Sequence, residues 1–236
     1  MAHVDNGMAP ELTDLTQHLL AICTELVQKN KAIKLDKLYN IARREMQAVE
    51  SGAILQGIKR LEEDMLIKAD SRLLRADLLQ NETRREIYFT IRRNPGISFN
   101  QVRHAMGKGT KILLWHVEVL LEFGCIRSYS FDTNANAYFT KHVDEADWGQ
   151  DGLLIFFFYQ NATIKKILDV LQPNSQTIKN IEAILGISRQ LIDYHLKRLE
   201  ARGIVAATDD TPRRFFLPGP IAILFDQCKN YFESGA

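Results

Sequence analysis

Along residues 189–200 the apolar positions Ile192, Leu196 and Leu199 recur at helical spacing, while Arg189, Gln190, Asp193, Lys197 and Arg198 fall mostly away from them. That pattern predicts an amphipathic helix with one side for a core. Ser188, after the turn residue Gly186, is a good N-cap for it. The same pattern recurs upstream. Asn81 and Asn161, 80 residues apart, each open a helix of period 3.6, ending near Asn94-Pro95-Gly96 and near Pro173. Each is followed by a shorter helix opened by Ser or Thr, 98–106 and 177–185, and then by Gly107 or Gly186. A long third helix follows, holding Trp115-His116 in one copy and Tyr194-His195 in the other. The third helices end at Gly124-Cys125-Ile126 and Gly203-Ile204-Val205, here 79 residues apart. β-Prone residues around a polar turn close each copy, at 126–139 about 132–136 and at 204–217 about 209–212.

Helix, helix, turn, helix, hairpin is the order of a winged helix–turn–helix. The predicted fold is therefore mostly α with small β wings, in tandem winged helix–turn–helix domains. A third copy is predicted at the N-terminus, from helices at 15–29, 35–45 and 54–66 and a short wing at 67–74. The Gly turn is missing there, so residues 11–80 are either a winged helix or a helical interaction domain. The organisation read from the chain is a loose tail (1–10), this N-terminal domain (11–80), a middle winged helix (81–141), an acidic and apolar connector (142–160), a C-terminal winged helix (161–217) and a C-terminal helix (218–236). The last helix, 221–232, either caps its own domain or pairs with another subunit.

Composition narrows the classes. With 236 residues, 46% apolar and 25% charged, the chain has the profile of a soluble globular protein. No apolar run approaches the roughly 20 residues that span a bilayer. Residues 1–11 lack the basic and apolar regions of a signal peptide. Cys23, Cys125 and Cys228 have neither metal-ligand spacing nor an even count, so reduced thiols and a cytoplasmic location are expected. The net charge of +1 hides local structure: residues 81–141 carry nine Lys/Arg and five Asp/Glu, residues 160–217 nine and six, and residues 11–80 eleven of each. The two later modules are modestly basic, which permits phosphate binding.

The third helices diverge. Asp193, Lys197, Arg198, Glu200 and Arg202 of the last copy correspond to Leu114, Glu118, Val119, Leu121 and Phe123 of the middle one. Only the last helix has the polar, basic face that suits a DNA major groove. Arg189 suits bidentate donation to guanine and Gln190 pairing with adenine. Ser188 and Tyr194 complete that face, and Lys197, Arg198, Arg213 and Arg214 are candidate phosphate contacts. Lys108, Thr110 and Lys111 offer a secondary backbone contact. Leu114, Val119, Leu121, Phe123, Phe157, Leu224 and Phe232 are candidates for a protein interface. Trp115 and Tyr194 are expected at the core rim, and His116 and His195 as structural or near-phosphate groups.

Chemistry of other kinds finds no support. Gly107-Lys108-Gly109-Thr110-Lys111 lacks P-loop spacing. Neither a catalytic constellation nor a metal-ligand set is evident, so no enzyme, cofactor or metal is expected.

The quoted residues resemble the archaeal transcriptional regulators with two winged helix–turn–helix domains in tandem. The resemblance rests on Asn81, Arg84, Ile87-Tyr88 and Asn94-Pro95-Gly96-Ile97, on Gly186-Ile187-Ser188-Arg189-Gln190, and on Tyr194-His195-Leu196 with Leu199-Glu200 and Gly203. It covers about residues 81–217 and leaves residues 1–80 as an extension. It implies DNA binding, with neither a target nor an effector specified. Two functions are thus expected: a sequence-specific DNA-binding regulator, acting on double-stranded DNA as a homodimer, or a winged-helix protein-interaction subunit, like those of sorting complexes and transcription machinery. The apolar middle helix and near-zero charge favour the second; the Ser188-Arg189-Gln190 helix and basic wing favour the first.

Overall fold

The computed structural model describes residues 13–132 and 135–234; the predicted tail, 1–10, lies outside them. The chain runs α1 (Asp14–Gln28), α2 (Leu35–Glu45), α3 (Ser51–Glu63), a 3-10 helix (Arg75–Gln80), α4 (Glu82–Arg93), β1 (Ile97–Ser98), α5 (Phe99–Met106), α6 (Thr110–Glu122), β2 (Ile126–Asp132) and β3 (Ala135–Thr140). It continues through α7 (Glu145–Tyr159), α8 (Ala162–Leu171), α9 (Ile178–Leu185), α10 (Arg189–Glu200), β4 (Ala206–Ala207), β5 (Phe215–Phe216) and α11 (Gly219–Glu233). The fold is mostly helical with small antiparallel sheets, a winged helix–turn–helix architecture. No helix among the described residues is long and apolar enough to cross a membrane.

The two stretches read as copies share backbone chemistry at equivalent positions. Asn81 Oδ1 accepts from the Arg84 amide, and Asn161 Oδ1 from those of Thr163 and Ile164. Ser98 and Thr177 cap α5 and α9, accepting from the amides of Gln101 and Asn180. Gly107 and Gly186 then turn the chain at φ of 60° and 65°, conformations that glycine adopts without Cβ strain. Just before α5, Ile97 pairs with Tyr138 of β3. Just before α9, Gln176 forms an isolated antiparallel bridge with Phe215 of β5. The C-terminal wing is thus a reduced version of the middle one, with strands of two residues where β2 has seven.

The described chain divides into two compact units: residues up to Arg85 with Leu114–Cys125, and Glu86–Leu113 with the chain from Ile126 onward. In the first, α1, α2 and α3 enclose Leu19, Cys23, Leu38, Ile54 and Leu61. The wing predicted at 67–74 forms no strand. This stretch is too short for two alternating runs and leads directly into the 3-10 helix. It keeps a vestige of the wing: Ile33, just upstream of α2, donates to Ser71 O at 2.8 Å and accepts from the Asp70 amide at 2.9 Å.

In the second unit the predicted connector is a core element. α7 kinks at Gly149 (φ 63°), and from Gly152 onward nearly every side chain is buried. A helix apolar all round belongs inside a core. α11 lies along it, with Phe156 ringed by Trp148, Tyr231 and Phe232 and Tyr159 stacked on Phe232 at 4.7 Å. Phe157, Leu224 and Phe232, candidates for a protein interface, are half-buried against this core. Cys23 and Cys228 are buried and Cys125 half-buried, and none of the three forms a disulfide.

Candidate nucleic-acid interface

The third helices α3, α6 and α10 superimpose in sequence on their buried stripes. Ile54, Leu113 and Ile192 hold one buried position; Ile58, Val117 and Leu196 the next; Leu61, Leu120 and Leu199 the last. After each helix comes a left-handed residue, Met65 (φ 55°), Gly124 (60°) or Gly203 (71°). Its amide donates to Glu62, Leu121 or Glu200, at 2.9 Å in each case. The next amide reaches back to Leu61, Leu120 or Leu199. Met65 tolerates a conformation that strains a side chain. Where the second copy has Gly124, a Cβ would fall 2.3 Å from the Met65 Sδ.

With the stripes matched, the outward faces can be compared. α3 presents Ser51, Gly52, Leu55, Gln56, Lys59 and Glu63; α6 presents Thr110, Lys111, Leu114, Trp115, Glu118 and Glu122; α10 presents Arg189, Gln190, Asp193, Tyr194, Lys197 and Ala201. Ser188 Oγ accepts from the Leu191 amide, which sets the start of α10 and leaves Arg189 and Gln190 exposed in its first turn. Tyr194 and Trp115 are 59% and 52% exposed, so both rings lie outward and not at the core rim. Beside them His195 and His116 are buried. Burial, then the charge of Arg198, holds the His195 imidazole below its ordinary pKa, so it is neutral at neutral pH.

The predicted phosphate contacts have intramolecular partners. Lys197 Nζ lies 2.7 Å from Asp193 Oδ2. Arg198 is half-buried over the rings of Phe158 and Phe157, at 5.1 and 5.8 Å. Arg213 pairs with Glu200 at 2.5 Å and covers Phe215. Arg214 donates from Nε to Ser175 Oγ (3.0 Å) and from Nη2 to Ser175 O (2.7 Å), tying the wing to the segment before α9. The turn between β4 and β5 exposes Asp209 and Asp210, an acidic tip. In the middle copy Lys108 pairs with Glu86 at 2.7 Å, while Thr110 and Lys111 are exposed.

The apolar positions of α6 separate into two sets. Leu114 is exposed and Leu121 half-buried, but Val119 and Phe123 are buried against Leu78 of the 3-10 helix. Lys179, in the first turn of α9, is an exposed cation that the sequence reading does not single out, and Arg202, beyond α10, is exposed as well. Their charge was legible, but only the fold distinguishes them from the engaged arginines.

Residues 163–207, from α8 through β4, match the family described as bacterial regulatory protein, arsR family. A region of 136 residues is 30% identical to an uncharacterized HTH-type transcriptional regulator of Methanocaldococcus jannaschii. The match covers 58% of this chain and 33% of that protein, so the chain spans about a third of the length of the curated relative it matches.

Proposed function

We propose that the protein is a DNA-binding transcriptional regulator whose C-terminal winged helix reads a specific sequence in the major groove. The observation that carries this reading is the contrast among third helices. Within the stretch similar to the arsR family, α10 alone offers Arg189, Gln190, Tyr194 and Lys197 on one exposed face. Arg189 donates to guanine O6 and N7, and Gln190 pairs with adenine. Ser188 fixes the first turn, and Tyr194 contacts bases further along. Lys197 meets a phosphate, as Lys179 and Arg202 do. Arg198, Arg213 and Arg214 brace the module and reach phosphates only by exchanging their present partners.

The middle winged helix and the helical N-terminal domain position the reader. Lys108, Thr110 and Lys111 give a secondary backbone contact. Leu114 and Leu121, with Phe157, Leu224 and Phe232, contribute surface to a homodimer. The apolar surfaces of Val119 and Phe123 are already covered by Leu78. A dimer presents two α10 helices to half-sites about one helical turn, roughly 34–36 Å, apart.

The alternative is a winged-helix protein-interaction subunit, favoured by the exposed Leu55, Leu114 and Trp115. Binding to random duplex and then to a selected site discriminates between them. The regulator binds random DNA at low salt and prefers a selected site. Arg189→Ala is expected to lose about 1–3 kcal/mol, confined to one base pair. No duplex binding at low salt, together with tight binding to a protein, overturns the regulator.

A further inference from the structure

Asp193 is the one acid on the outward face of α10, and neither the core nor phosphate binding accounts for it. The position is outward in all three third helices, and in the other two it holds exposed leucines, Leu55 (55%) and Leu114 (43%). Core packing therefore does not require a carboxylate there. Along α10 it stands one turn after Arg189 and one turn before Lys197, an acid at i+4 between cations at i and i+8. In the free protein its charge is balanced by Lys197 at 2.7 Å.

A carboxylate brought to a polyanion is repelled unless it meets a donor. In the major groove guanine presents N7 and O6 and thymine O4, all acceptors, whereas cytosine and adenine present amino groups. Both amino groups have the paired base's carbonyl on one side, but adenine N6 has its own N7 acceptor on the other, which faces the second carboxylate oxygen, where cytosine has only C5–H. Lys197, a point charge on a flexible four-carbon stem, has the freedom to exchange Asp193 for a phosphate, which would leave the carboxylate to a base.

We propose that Asp193 is a specificity-determining residue that selects cytosine at one position of the site by accepting from its N4 amino group and excluding guanine and thymine. This rests on α10 being the DNA reader.

The test uses the full chain and a selected duplex varied to all four bases at each position. Wild type is expected to prefer cytosine at one position by about tenfold or more over guanine or thymine. Asp193→Ala loses that preference alone and binds the guanine and thymine duplexes more tightly than wild type does. Asp193→Asn, which retains side-chain size and adds an amide donor, relaxes the same discrimination. Lys197→Ala keeps the preference and weakens all duplexes alike. Unchanged circular dichroism shows that each variant is folded. If Asp193→Ala shifts every duplex by one common factor, the assignment is overturned while α10 remains the reader. Wild type that binds no duplex at low salt overturns both.

Discussion

Gly96 and Gly186 both have positive φ, but their surroundings differ. At Gly186 (φ 65°) nothing lies within 4 Å of an added Cβ. At Gly96 (φ 83°) the Cβ would sit 2.7 Å from Phe156 C and Phe157 N, backbone atoms of α7 that cannot swing aside. Gly186→Ala is expected to cost only the left-handed strain, about 1–2 kcal/mol. Gly96→Ala adds overpacking of about 1–3 kcal/mol. Urea unfolding of the two variants checks the ranking, and equal losses would refute it. The glycines themselves are readable as turn residues, but the crowding at Gly96 is not, because it comes from a helix 60 residues further along the chain. His195 shows the same division. Its place beside an aromatic residue is plain in the sequence, whereas its neutrality depends on burial and on Arg198.

Among the elements, the C-terminal wing is the least regular and the most dependent on side chains. Its two strands pair over two residues each, and Arg214 ties them to Ser175 by two hydrogen bonds. Arg214→Ala is therefore expected to destabilise the fold by about 1–3 kcal/mol, by removing charge-assisted bonds to half-buried groups. Thermal melting without DNA measures this. An unchanged melt with weakened DNA binding would return Arg214 to the phosphate-contacting set. Helices were legible where an apolar stripe and a cap coincide, as at Ser98, Thr177 and Ser188. The 67–74 segment reads as a wing from its β-prone residues, but they lack a second run to pair with. α7 was read as a connector because its last turns are apolar on every side and show no period.

At the scale of the whole molecule, the repeat is what the sequence displayed best and its unequal faces are what give it meaning. The offset of 79 residues relates the second and third helices of the two stretches, and the left-handed Met65 ends α3 with the same turn although the sequence has no glycine there. Which cations are available could not be read from the chain. Arg189, Arg213 and Arg214 are alike as letters; the fold pairs the last two and leaves Arg189 exposed.

The internal partners of Arg213 and Arg214, Glu200 and Ser175, have a consequence for how the protein responds to its ionic surroundings. A module that brings its own counter-charges to the duplex displaces few cations from it. Each neutralised phosphate contributes about −0.9 to the slope of log affinity against log salt. With Lys179, Lys197 and Arg202 as the phosphate contacts of one C-terminal module, its slope is expected to be roughly −3. Titration of one module's half-site across salt concentrations checks this, and a slope near −6 would mean that Arg198, Arg213 and Arg214 had exchanged partners on binding. A shallow slope makes occupancy a matter of which bases are present more than of how strongly the solution is buffered with salt. With that slope the complex is expected to persist through swings in ionic strength that strip a strongly basic protein from its site.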